Sequence, residues 1–206
     1  VLERPDMMAG LQNIFIALTL IVAMFMGCTF NAVNMISEKE NGVDLVNQVL
    51  PVTQSGYVIQ KIFVGFTGGC LSAVLTACCY FHLPVWNALL MLVLIMLSAF
   101  IAALIGLFIG RFSESFMVGV VYIKIIMIIF MAVPLVSYLL GAGGLISVFC
   151  YFVPSSASFE GIMILADSDK PMIAKDMFIL MAHCILWFLL YLAISRWQKK
   201  HTWGWK

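Results

Sequence analysis

The sequence predicts an all-α integral membrane protein, and three observations carry that prediction. Of 206 residues, 64% are hydrophobic and only 10% charged, against roughly 25% charged in a soluble domain. Five runs are long and apolar enough to cross a bilayer, which takes about 20 residues. A further apolar stretch is broken by Pro154-Ser155-Ser156-Ala157-Ser158. Eleven basic and ten acidic side chains cannot cover a globule with polar surface, which excludes a soluble enzyme. Their near balance leaves no basic face for a phosphate backbone, so no nucleic-acid partner is expected. High apolar content with low charge also excludes a disordered chain.

The first span is expected from about Leu11 to Ile36, with Gly27 and Cys28 as small residues within it. The longest polar stretch of the chain follows, Ser37 to Gly56. A second span runs from about Val58 to Phe81 and is closed by the turn His82-Leu83-Pro84. The third runs from about Trp86 to Ile109 and ends at Gly110-Arg111. The fourth, about Phe116 to Leu140, contains Lys124 and Pro134; the last runs from about Met177 to Ile194.

Between Leu145 and Leu165 the chain is apolar enough to enter the membrane, but the Pro/Ser run and Glu160 interrupt it. Irregular backbone at membrane depth is tolerated only against protein or a watery cavity. Two half-helices that dip in and return fit this segment better than one straight crossing. The whole, residues 1–206, reads as one transmembrane domain of five spans plus a re-entrant element.

Lys and Arg accumulate on cytoplasmic flanks. Arg196, Lys199, Lys200 and Lys206 therefore place the C-terminal tail inside, with Trp197, Trp203 and Trp205 as interfacial anchors. Five spans counted back place the N-terminus outside, and Ser37–Gly56 and Arg111 inside. Arg4, Lys170 and Lys175 remain outside, matched by Glu3, Asp6, Asp167, Asp169 and Asp176. The absence of a long extracellular domain is compatible with a bacterial inner membrane.

The six cysteines, Cys28, Cys70, Cys78, Cys79, Cys150 and Cys184, sit in apolar runs without a C-x-x-C pair. They read as small packed thiols; nothing near Cys78-Cys79 supports a metal or acylation site.

The polar stretch carries the most information. From Gly42 onward its apolar residues are Val43, Val46, Val49 and Leu50, with Leu45 beside them. Spacings of three and four put most of these on one helical face. Asp44, Asn47 and Gln48 take the other side, and Pro51 stops the helix. A short amphipathic helix at the cytoplasmic interface has two uses. It can be a stiff passive connector, or it can press its apolar face into a groove on a soluble partner.

The ordered string Glu38-Lys39-Glu40, Gly42, Pro51-Val52-Thr53, Tyr57 and Lys61 between two spans resembles the cytoplasmic loop of type-2 ABC export permeases. Their pattern is E-K-E-x-G, then L-x-x-x-P-[VI]-[ST], then an aromatic and a Lys entering the next span. Val46 and Leu50 are the candidates for the Leu. The downstream plan of hairpin, long span, broken segment and basic-tailed final span is similar too, so the resemblance covers nearly the whole chain.

The resemblance implies a permease subunit of a drug-export-like transporter. It implies a homo- or heterodimeric partner permease and two ATPase subunits carrying ATP and Mg. Residues 43–50 would be the coupling helix, with Glu38, Lys39, Glu40, Gly42, Val43, Val46, Leu50, Pro51, Tyr57 and Lys61 as coupling residues. It further implies another span upstream, so the sequence reads as starting in the first extracellular loop. The chain itself lacks G-x-x-x-x-G-K-[ST], so no cofactor is expected on it. Gly65-Phe66-Thr67-Gly68-Gly69 lacks the Lys and is expected to serve close helix packing.

Polar residues within the spans are candidates for a translocation path. An intramembrane Lys such as Lys124 costs about 2.5–3.5 kcal/mol on insertion scales; it either lines the path or snorkels and pairs structurally. Asn31 and Asn34, a helical turn apart, either face the same cavity or join helices. Glu160 either caps a half-helix or borders an outer gate. Lone His82 and His183 lack metal-ligand spacing, and no nucleophile–base pair or intramembrane Asp pair appears, so catalysis is not expected. An ATPase-independent channel or secondary transporter, and a non-transporting scaffold, are the alternatives. The first would call for charges in several spans.

Overall fold

The computed structural model describes residues 5–43, 54–81, 84–141, 149–167 and 173–202. Among these the order is α1 (Pro5–Glu40), α2 (Gln54–Tyr80), α3 (Val85–Phe112), α4 (Phe116–Leu139), α5 (Pro154–Asp167) and α6 (Ile173–Thr202). All but α5 contain a stretch long and apolar enough to cross a membrane. Helices suit that setting because every backbone hydrogen bond closes within the segment. The chain is thus an all-α integral membrane protein.

α1 packs against α2, α3, α4 and α5, and α3 also meets α6. Small residues let α1 and α2 touch. A β-carbon at Gly27 would overlap the Gly65 carbonyl, and one at Gly65 would overlap the Asn31 amide. One at Gly69 would stand 2.9 Å from Met24 O. The expected close-packing role of the Gly65–Gly69 run is therefore what the backbone shows. Gly106 likewise seats α3 directly on Cys28 of α1.

α4 differs from the others. Of its residues only Gly119, Ile123 and Pro134 are buried, and an apolar row including Val121, Ile125, Ile128 and Val136 is exposed.

α5, at 14 residues, is about 21 Å long, too short to cross. Its first turn lies deep: Ser158 Oγ and Ser98 Oγ are 2.7 Å apart. Ser98 is thirteen positions along α3, about 20 Å from that helix's start. The preceding turn is equally deep, since His183 Nε2 lies 2.9 Å from Tyr151 O and His183 is ten positions into α6, about 15 Å. The outgoing limb of the broken segment is thus a helix beginning near mid-bundle, and residues 142–148 lie outside the described part.

Several helices outrun the expected spans: α1 starts at Pro5, α2 at Gln54, and α6 runs on to Thr202. Two further differences bear on the site. α1 continues through Ser37, Glu38 and Lys39 to Glu40, residues expected in the loop, and ends where Gly42 takes a φ of 69°. Charged side chains lengthen a helix as readily as apolar ones when each finds a partner, as these do. α6 begins at Ile173, not Met177, and so takes in Lys175 and Asp176. Of the amphipathic 43–50 stretch only Val43 is described, half-exposed at 39%. Val46, Leu50, Pro51, Val52 and Thr53 lie outside the described residues.

Candidate functional site: a polar clamp at one end of the bundle

Three consecutive residues at the end of α1 reach three different helices. Glu38 faces α2. It accepts a hydrogen bond from Tyr57 OH at 2.6 Å and forms an ion pair with Lys61. Lys61 is 6% exposed, donates to Asn34 Oδ1 at 2.9 Å, and lies 5.3 Å from the Tyr57 ring centroid. A buried ammonium is tolerated because carboxylate, amide and ring face together replace its water.

Lys39 turns to α3. Its Nζ donates to Gly110 O at 2.7 Å, Arg111 O at 2.6 Å and Ser113 O at 3.3 Å. Those carbonyls close the C-terminus of α3, where orphan acceptors and the negative dipole end favour a cation. Glu40 does the reverse for α4. Its Oε1 accepts the Phe116 N–H at 2.7 Å. Ser115, the N-cap of α4, makes no side-chain cap bond of its own, and an anion suits the positive dipole end there. Arg111 in turn stacks 5.8 Å over Tyr191 of α6. The alternating acid-base-acid string on one helix end thereby fastens α1 to α2, α3 and α4, and Arg111 links α3 to α6.

The residues expected on a path divide differently. Asn31 is fully buried and donates through Nδ2 to Ala103 O at 2.9 Å, so it joins α1 to α3. Asn34 belongs to the clamp. Lys124 stands on the exposed face of α4. Glu160 caps no helix end. It lies within α5, accepts a hydrogen bond from Tyr151 OH and pairs with Lys175 at 3.7 Å.

A second polar cluster, at the far end of α6, escaped the sequence reading. Lys175 Nζ donates to Tyr151 OH at 2.5 Å. Asp176 beside it is fully buried, and neither carboxylate oxygen has a hydrogen-bond partner. With Nε2 donating to the Tyr151 carbonyl, His183 Nδ1 is a buried acceptor without a partner. A last span starting at Met177 leaves Lys175 and Asp176 as loop charges; the helix-compatible run Ile173-Ala174 ahead of them is the signal for an earlier start.

Among the described residues no group of three His, Cys, Asp or Glu could hold a metal ion, and the cysteines are free thiols.

Five long apolar helices, a short one and a charged clamp at one bundle end define a polytopic membrane protein. The match to a family model is specific: the ABC-2 family transporter protein model covers residues 4–193, and the chain belongs to that family. It is a type-2 ABC permease subunit. No curated protein and no solved structure matches it.

Proposed function

We propose that this chain is one half of a dimeric, ATP-driven exporter that moves an amphipathic small molecule, drug, peptide or lipid-like compound by alternating access. The observation that carries the reading is the clamp. Glu38, Lys39 and Glu40 tie the end of α1 to α2, α3 and α4, so a push on the segment between α1 and α2 moves the long helices together. In this reading the 43–50 helix seats Val43, Val46 and Leu50 in a groove of the ATPase subunit. The ATPase carries ATP and Mg. The motif residues Glu38, Lys39, Glu40, Tyr57 and Lys61 then couple by transmitting force, while the contact with the partner falls to the apolar face and Pro51.

The basic tail supports a cytoplasmic placement for the clamp end, with this chain's N-terminus outside, in a bacterial inner membrane. The exposed apolar row of α4 supports a second permease subunit packed there. Lys124, on the same exposed helix, would then stand beside the path, where water or the partner relieves its cost.

The test is affinity co-purification from native membranes. The variant to compare is Val46→Asp with Leu50→Asp, which leaves the clamp untouched. An ATPase subunit retained by the native protein and lost from the variant supports the proposal. No ATPase with either protein overturns it.

A further inference from the structure

Hydroxyls in a membrane helix ordinarily bond back to the carbonyl one turn earlier. Thr19, Thr67, Ser72, Thr76, Ser113 and Ser158 each bond to the carbonyl four residues before them. Ser155 and Ser156 do not; both are buried, and neither Oγ has a partner among the described residues. The carbonyl four residues before Ser155, Tyr151 O, is the one facing His183 Nε2 at 2.9 Å. An unpaired hydroxyl in a dry interior is costly.

Of the two, Ser155 lines a cavity of about 20 Å³ where α1, α3, α4 and the first turn of α5 meet. A buried water needs about 10–15 Å³ and two to four polar partners. The cavity therefore has room for one water and for nothing with a body. Three hydroxyls reach it, those of Ser98, Ser155 and Ser158, while Met24, Phe25 and Phe130 stand in its apolar wall. A wholly apolar cavity of this kind stays dry, and the hydroxyls are what make this one a place for water. Ser98 is buried near the middle of α3, out of reach of bulk solvent. Ser158 donates to Pro154 O at 3.2 Å, so Ser98 supplies the proton of the 2.7 Å Ser98–Ser158 bond. Ser98 Oγ is then left as an acceptor and Ser155 Oγ as a donor, two ends that a single water joins.

We propose that this cavity holds one water, which accepts from Ser155 Oγ and donates to Ser98 Oγ. The bonds then run one way, from Ser155 through the water to Ser98, Ser158 and the Pro154 carbonyl, and hydrogen bonds in series strengthen one another. The chain of bonds leaves the first turn of α5, crosses to α3 and returns. It pins the Pro/Ser break to a long helix at a depth where lipid supplies no partner. It does not rest on the transport reading, and the two stand or fall separately.

The experiment is water-edited solid-state NMR of the full chain in phosphatidylcholine vesicles, with 13C-labelled serine and peaks assigned by substitution. Magnetisation started on water protons should reach Ser98 and Ser155. Ser72, whose hydroxyl bonds to backbone carbonyls, is the control and should stay dark. Ser155→Ala takes away the donor to the water and should abolish the Ser98 signal, whereas Ser155→Thr should keep it. Should Ser155→Ala not fold, Ala102→Val decides. It adds two methyl groups to the cavity wall, leaves every hydroxyl in place, and should likewise darken Ser98. Exchanging sodium chloride for sodium bromide should leave the Ser155 peak where it is; a shift would mean that a halide occupies the cavity, against the proposal. Ser98 and Ser155 dark in the folded native protein, or a Ser98 signal that survives Ser155→Ala or Ala102→Val in folded protein, overturns it.

Discussion

Replacing Glu38 with Ala strands an ammonium inside the bundle. Lys61 is 6% exposed and has two side-chain acceptors, Glu38 and Asn34 Oδ1. Removing one partner of a buried ion pair costs about 3–5 kcal/mol, because the other charge stays buried. The Glu38 side chain retains 23% exposure, so some water can replace it, and the loss should fall near the lower limit, about 3 kcal/mol. The Tyr57 hydroxyl loses its acceptor in the same step. Adding Lys61→Met removes the stranded charge while keeping the volume. The double variant should therefore recover about 1.5 kcal/mol of the loss. The assay is reversible unfolding in mixed micelles with increasing dodecyl sulfate, read by tryptophan fluorescence. If the double variant is no more stable than Glu38→Ala, the pair is not what holds α1 to α2, and the clamp argument is wrong.

The other predictions use the same unfolding assay. Lys39→Met uncaps the last turn of α3, which loses a charged donor to three carbonyls. It should cost about 2 kcal/mol, and a change under 0.5 kcal/mol would contradict the capping role. Asn31→Leu deletes the bond to Ala103 O at a position crowded by Gly65 and Gly106. A loss of about 1 kcal/mol is expected from interhelical bonds in membranes, with further loss if the larger side chain separates α1 from α2; unchanged stability would refute the glue role. Asp176→Asn removes a charge whose buried oxygens have no hydrogen-bond partner. Stability should hold or rise, and a marked loss would contradict this reading of Asp176.

Much of the architecture was legible because the bilayer is a demanding solvent. A run such as Val85–Phe112, apolar on every side, has no soluble alternative, and the Pro/Ser break at 154–158 cannot sit in lipid unprotected. The motif Glu38-Lys39-Glu40 was equally visible, as was its pairing in order with Tyr57 and Lys61. Its geometry was not. The sequence read these charges as a loop facing a partner, whereas they extend α1 and cap its neighbours. Which carbonyl Lys39 meets depends on where α3 ends some seventy residues later, and no local pattern encodes that distance. The same holds for Asn31. Its spacing from Asn34 allowed a cavity or a helix contact, and only the seating of Gly106 on Cys28 decided for contact.

By itself, then, the sequence determined an all-helical membrane protein, its five long helices and the family motif, because hydropathy and helical period are local quantities set by solvent and backbone. The tertiary structure alone decided what each polar side chain does. A hydroxyl or charge at membrane depth is defined by the acceptor it finds, and for Lys39, Asn31 and Ser98 that acceptor belongs to another helix far along the chain. Ser155 is the same rule seen from the other side: a serine within a legible Pro/Ser break becomes informative only when the fold shows that no acceptor is there.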